Sequence, residues 1–120
     1  AALALACDFL VVGESSFLHV SEVTMGLMAP INIAWLGIRH SHALGLRVAL
    51  QGEPVYGYEL MQLGIANQCC GDSEVLSMAR ELGQRLANHN VETLQSMKWA
   101  LRKAKRLVDF HQILEEVNSR

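Results

Sequence analysis

The chain has 120 residues, of which 51% are apolar and 18% charged, with a formal net charge of -2. That length allows one domain with a core of its own, and so high an apolar fraction excludes a disordered chain. The small net charge gives no general reason to expect nucleic acid or an anionic membrane as partner, and no apolar run approaches the ~18 residues needed to span a bilayer, so the chain reads as soluble.

Residues 1–7 form an apolar run of small side chains that ends at Asp8. Residues 9–12 read as a buried strand, 13–16 as a turn and 17–20 as a second short strand. Glu22 lies just beyond, followed by Val23, Met25, Leu27 and Met28, with Gly26 and Pro30 breaking any long regular element. A carboxylate with so many apolar neighbours is paired, kept at the surface or used as a proton carrier. An exposed turn glutamate is the plainest of these readings. The chain starts without Met or a basic n-region, so it is expected to be an excerpt of a longer sequence and not a signal peptide.

Residues 31–36 read as a short helix with a break at Gly37, and a second helix runs from Ser41 or His42 to Leu50, stopped by Gly52. Residues 51–54 are a turn, 58–63 a short helix ending at Gly64, and 65–69 a brief strand. Beyond them Val75, Leu76, Ala79, Leu82 and Leu86 recur at helical spacing, as do Val91, Leu94, Met97, Leu101, Ala104 and Val108. Leu107, Phe110, Leu114 and Val117 begin a last amphipathic helix. Leu10, Val12, Leu76, Leu82, Leu94 and Leu101 are expected to be buried. Lys98, Arg102, Lys103, Lys105 and Arg106 are half of the chain's cations and suit the end of a helix as a solvated face.

Cys7, Cys69 and Cys70 are odd in number and lack C-x-x-C spacing, so neither a disulfide framework nor a zinc site is favoured. They fit a reducing, cytoplasmic compartment. Among the five histidines only His40 and His42 are close in sequence, and residues two apart point to different faces of a helix. No metal site is expected.

Residues 1–30 resemble the second half of the crotonase superfamily, the enoyl-CoA hydratase/isomerase family. That family runs G-G-G-x-E-L-A-x-x-C-D, then a strand, then F-x-x-P-E-x-x-x-G-L with a proline shortly after. Leu3, Ala4, Cys7 and Asp8 match the first part, and Glu22, Gly26, Leu27 and Pro30 match the second. Further on, Gly52, Glu59, Gly64 and Asn67 fall on the family's T-G-x-x-x-x-A-x-E-A-x-x-x-G-L-V-N. The likeness extends to about Arg106. Three departures accompany it. Ala2 stands where the hydratases carry a second glutamate, Leu18 and Ser21 replace the usual Phe and Pro, and Ala1 follows the family's glycine triplet.

The resemblance implies a partial crotonase-like α/β fold, the end of its ββα spiral: a helix and two short strands followed by mostly helices. Residues 1–70 would be the second half of the core, with Glu22 as acid/base, and residues 71–120 a C-terminal helical region for oligomerisation. It also implies an acyl-CoA thioester as substrate with no further cofactor, and a homo-oligomer, a trimer by preference. The basic residues at the end of the penultimate helix could then meet the CoA nucleotide. Val23, Ile31, Ile33, Ala34 and Trp35 become candidates for the acyl-binding wall; as residues they read equally well as ordinary core. The backbone donors of the oxyanion hole would lie in the earlier half of the fold.

In this family hydration uses two glutamates around one water, whereas moving a double bond from C3 to C2 can run on one. With Glu22 present and Ala2 in place of the other, isomerisation is the simpler reading, and the Met28-Ala29-Pro30 turn resembles mitochondrial-type enoyl-CoA isomerases. The alternative is a truncated or degenerate crotonase-fold chain that acts as a non-catalytic binding or assembly module.

Overall fold

A computed structural model of the chain describes residues 1–104 and 110–120, Phe110 by its backbone alone. The elements among them are α1 (Ala2–Ala6), β1 (Val11–Gly13), β2 (Phe17–Leu18), a 3-10 turn at Glu22–Met25, α2 (Pro30–Arg39), α3 (His42–Gln51), β3 (Val55–Tyr56), α4 (Gly57–Gln62), β4 (Gln68–Cys70), a second 3-10 turn at Asp72–Glu74, α5 (Val75–Ala87), α6 (Val91–Ala104) and α7 (Phe110–Asn118). One helix, two short strands and then mostly helices is the α/β order expected. The expected start of the last helix at Leu107, together with Lys105, Arg106 and Val108, lies outside the described residues.

Local chemistry sets most of these boundaries. Ala and Leu, both strong helix formers, make up α1. Pro30 opens α2, where its missing N–H has no helical partner to lose. At the start of α3 the Ser41 hydroxyl accepts a hydrogen bond from the Leu44 N–H at 3.2 Å, and Asn90 Oδ1 does the same for α6, accepting from Thr93 at 2.9 Å. The break expected at Gly37 is absent: α2 continues through it to Arg39. One glycine costs a helix only about 1 kcal/mol, and burial of Ala34 and Leu36 on the same helix offsets that.

The strands form two small pairs. β1 runs parallel to β4, with Val12 opposite Cys69, and β2 runs antiparallel to β3, with Leu18 opposite Val55. Expected at 9–12 and 65–69, the outer pair is found slightly later in the chain, and β3 has no counterpart in the sequence reading. Ile65 and Ala66 are buried in the turn after α4, both N–H groups donating to the Leu60 carbonyl at 3.0 Å. A buried turn and a buried strand give the same short apolar run. The two pairs meet at Gly57, where a Cβ would overlap the Gly13 carbonyl, so only glycine lets α4 start against β1.

The core is drawn from residues 5–66. Leu5, Val20, Leu36, Val48 and Leu60 are its most completely buried large side chains, with Val12, Leu18 and Val55 beside them. α5 lies against β1 and β4, and α7 against α2, yet neither α5 nor α6 contains a fully buried residue. Val12 is buried as expected, and Leu10, Leu82 and Leu94 are half-buried. Leu76 and Leu101 are not buried: they are 62% and 71% exposed. Helical spacing gives a helix an apolar face but does not decide whether the same chain covers it. Here the chain is a slab of 45 × 35 × 19 Å with a radius of gyration of 15.6 Å, against about 13.6 Å for a compact domain of this length. No described residues form a second layer over those faces.

Candidate active site

After β2 the chain passes through Val20, only 1% exposed, and turns at Ser21. The Ser21 carbonyl accepts from the Thr24 N–H at 3.0 Å and the Thr24 hydroxyl at 2.6 Å, and the Glu22 carbonyl accepts from Leu27 at 2.9 Å. Gly26 closes the turn in the left-handed conformation. The Glu22 side chain is half-buried, and its Oε2 is buried with no hydrogen-bond partner among the described residues. Leaving a buried polar group unpaired costs about 1–3 kcal/mol, so such groups in native folds call for an explanation, catalytic roles among them.

Apolar side chains crowd the same stretch. Val23, Met25, Leu27, Met28 and Ile31 are all between 41% and 61% exposed. Of the residues singled out for the acyl wall, Val23 and Ile31 are therefore at the surface, Ile33 and Trp35 are half-buried against the core, and Ala34 is 1% exposed. Helical spacing puts Ile31, Ala34 and Trp35 on one face of α2 and turns Ile33 away from it. Ala2 is half-buried at the start of α1. Two shallow concavities, of about 190 and 270 Å³, lie elsewhere. Asp8, Arg39, His40 and Asn67 line the smaller; Ala1, Ala4, Phe17, His19 and Leu60 line the larger; Glu22 lines neither.

Two arrangements escaped the sequence reading. Asp8 accepts from Lys98 Nζ at 2.6 Å and from Arg39 at 2.7 Å, tying the end of α1 to α6 and α2. These two cations, Lys98 foremost, hold the Asp8 carboxyl below the usual carboxylate range against the opposing effect of burial. Arg39 also lies over the Trp35 ring, 5.5 Å from its centroid. The second arrangement is a 2.7 Å hydrogen bond between His19 Nε2 and the Gly52 carbonyl. Nothing in the sequence announces either, because the partners are 31 to 90 positions apart or belong to the backbone. Among the described residues no group of three or more His, Cys, Asp or Glu side chains is placed to hold a metal ion, and no helix is long and apolar enough to cross a membrane.

This order of elements is what the crotonase resemblance calls for. A model of the enoyl-CoA hydratase/isomerase family matches residues 1–118. The chain belongs to that family. Its sequence is 30% identical over 103 residues to 2,3-dehydroadipyl-CoA hydratase of Escherichia coli (strain K12), a match covering 85% of this chain and 40% of that protein. The backbone superposes on an enoyl-CoA hydratase from Polaromonas sp. JS666 with a TM-score of 0.76 and 28% identity, over 95% of this chain and 44% of the other. ThnE from S. clavuligerus has a TM-score of 0.78 at 18% identity, over 97% of this chain and 57% of the other, and shows the fold alone. The chain thus spans roughly half the length of the relatives it matches, or less. Within the family pattern, Asp8 is the residue clamped by Arg39 and Lys98, Gly52 the cap of α3, and Asn67 the residue that leads into β4.

Proposed function

We propose that the protein carrying this chain processes acyl-CoA thioesters, moving a proton at C2 of an enoyl-CoA with Glu22 as its single acid/base, and so isomerises the double bond. The observation that carries the reading is the buried, unpartnered Glu22 Oε2 on a turn rich in exposed apolar side chains. A thioester acidifies the C2 proton because the resulting enolate spreads its charge onto the thioester oxygen. Glu22 takes the C2 proton of a 3-enoyl thioester, the electron pair delocalises through C3 and C4, and the same carboxyl returns the proton at C4 to give the 2-enoyl product. On this reading the oxyanion is met by backbone N–H donors carried outside residues 1–120. Val23 and Ile31 give the acyl chain an apolar surface beside the carboxylate, with Ala34 and Trp35 behind it on the same face of α2 and Ile33 bracing the helix from the core side.

The match to a protein named 2,3-dehydroadipyl-CoA hydratase favours a second reading, hydration of a 2-enoyl thioester. It requires a second carboxylate at the place that Ala2 occupies. The exposed face of α6 supports assembly of residues 71–120 into a homo-oligomer, a trimer by family resemblance. The three free cysteines accord with a cytoplasmic location.

The test is steady-state turnover of 3-enoyl-CoA and 2-enoyl-CoA by the protein and its Glu22→Gln variant. Glutamine keeps the shape and removes the proton carrier, so the rate should fall by at least the ~10²–10⁴-fold attributed to a positioned base, with acyl-CoA binding little changed. An unaltered rate removes Glu22 from the mechanism. If the protein neither turns over nor binds acyl-CoA, the non-catalytic binding or assembly module takes its place.

A further inference from the structure

The turn that carries Glu22 packs against one backbone position far along the chain, Gly52. This residue is buried and caps α3 at φ 65°. A Cβ on it would stand 2.7 Å from Val23 Cγ1 and 2.8 Å from Thr24 Cγ2, so the Glu22–Met25 turn rests on bare backbone. The carbonyl of the same glycine lies 2.7 Å from His19 Nε2. A carbonyl oxygen offers only lone pairs, so Nε2 carries the hydrogen and the imidazole is the donor. The residue three positions before Glu22 and the two positions after it are therefore pinned to one glycine, from 28 to 33 residues further along the chain. The F-x-x-P-E pattern leaves the position of His19 open.

We infer that His19 is a positioning residue for Glu22: its Nε2–H fixes the Gly52 carbonyl, and through that glycine the height and direction of the turn bearing the carboxylate. The role of Glu22 as acid/base is taken from the reading above; the geometric claim does not depend on it. A general base misplaced by ~1 Å loses on the order of 10²-fold in rate, so a donor that sets the seat of the turn acts on kcat without touching substrate.

Three variants test this. His19→Leu keeps bulk and removes the donor, His19→Gln puts an amide N–H near the place of Nε2, and His19→Asn has a donor too short to reach. The first readout is NMR of the protein carrying this chain, following the Glu22 carboxyl carbon and the amides of Val23, Thr24 and Met25. His19→Leu and His19→Asn should shift these signals while leaving those of β4 in place, and His19→Gln should return them. An unmoved Glu22 carboxyl signal in His19→Leu and His19→Asn overturns the inference, as does a shift that His19→Gln fails to reverse. The second readout is turnover of an enoyl-CoA, where His19→Leu should lower kcat about 10- to 100-fold with KM held within about twofold, and His19→Gln should recover most of it. Glu22→Gln runs alongside. If it leaves the rate unchanged, the acid/base reading fails and the NMR still decides the positioning claim. If it abolishes the rate while His19→Leu leaves kcat unchanged, the acid/base reading stands and the positioning claim falls.

Discussion

Leu10 and Asn67, 57 residues apart, exchange two hydrogen bonds: the Leu10 N–H donates to Asn67 Oδ1 at 2.8 Å, and the Asn67 N–H donates to the Leu10 carbonyl at 2.8 Å. The pair stands one residue ahead of the β1–β4 ladder and starts its register, Val11 opposite Gln68. β1 leads directly into the turn before β2, so this clasp places the strand that feeds β2, from which the Glu22 segment departs.

Asn67→Ala removes the side-chain acceptor and should cost about 0.5–1.5 kcal/mol in urea unfolding. Asn67→Asp keeps an acceptor oxygen facing the Leu10 N–H and should lie closer to the parent chain. Equal losses in both variants would mean that the side-chain bond does not hold the ladder.

Gly57→Ala places a methyl group against the Gly13 carbonyl, a contact between two stretches of backbone that rotamer changes do not relieve. The expected cost is about 1–3 kcal/mol, as for other overpacked sites, read as a lower thermal midpoint. Gly83→Ala, at an exposed position in α5 with open space around it, should instead hold or raise stability.

Asp8 has its folded-state pKa lowered by Lys98 and Arg39. Above the ordinary aspartate value of about 3.9 the group is ionised in both folded and unfolded chains, and its contribution is fully present. As pH falls through the lower folded-state value, the carboxylate is protonated and the contribution is lost. Asp8 is 40% exposed, so solvent screening limits the effect to about 0–1 kcal/mol. Asp8→Asn should therefore be slightly less stable than the parent at pH 7, with the difference shrinking in acid. A difference that persists below the folded-state pKa would argue for packing and not charge.

Ala2→Glu restores the two-carboxylate pattern of the hydratases at the start of α1. If the isomerase reading is right, the substitution should introduce slow addition of water to 2-enoyl-CoA, followed as loss of the conjugated thioester absorbance. Efficient hydration by the parent protein would favour the hydratase reading instead.

Met97 and Leu101, one turn apart on a single face of α6, are 60% and 71% exposed, an apolar stripe that a partner can cover. Light scattering should find an assembly, a trimer on the family reading. Leu101→Glu should shift it toward smaller species, and a strictly monomeric parent chain at high concentration would remove the oligomer.

The sequence by itself determined most of the order of the elements, β3 excepted, and the candidate carboxylate. Caps at Ser41 and Asn90, Pro30 at the head of α2 and the stripe spacing of α5 and α6 are local chemistry, decided within a turn or two of chain. Glu22 was legible because a charged residue among Val23, Met25, Leu27 and Met28 is conspicuous in any one-dimensional reading, and because Gly26, Leu27 and Pro30 follow it as in the family pattern. Only the tertiary structure decided which apolar runs are covered, how the strands pair, and what seats the Glu22 turn. Leu76 and Leu101 look as core-like as Leu36 or Leu60 in sequence, yet burial is a relation to other segments, and no described segment lies over those two. The β1–β4 register, the Asp8 clamp and the His19–Gly52 bond join groups far apart in the chain, in several cases through backbone atoms that every residue possesses. Such partners leave no mark on sequence because the specificity lies in distance and direction, which exist only once the chain has folded.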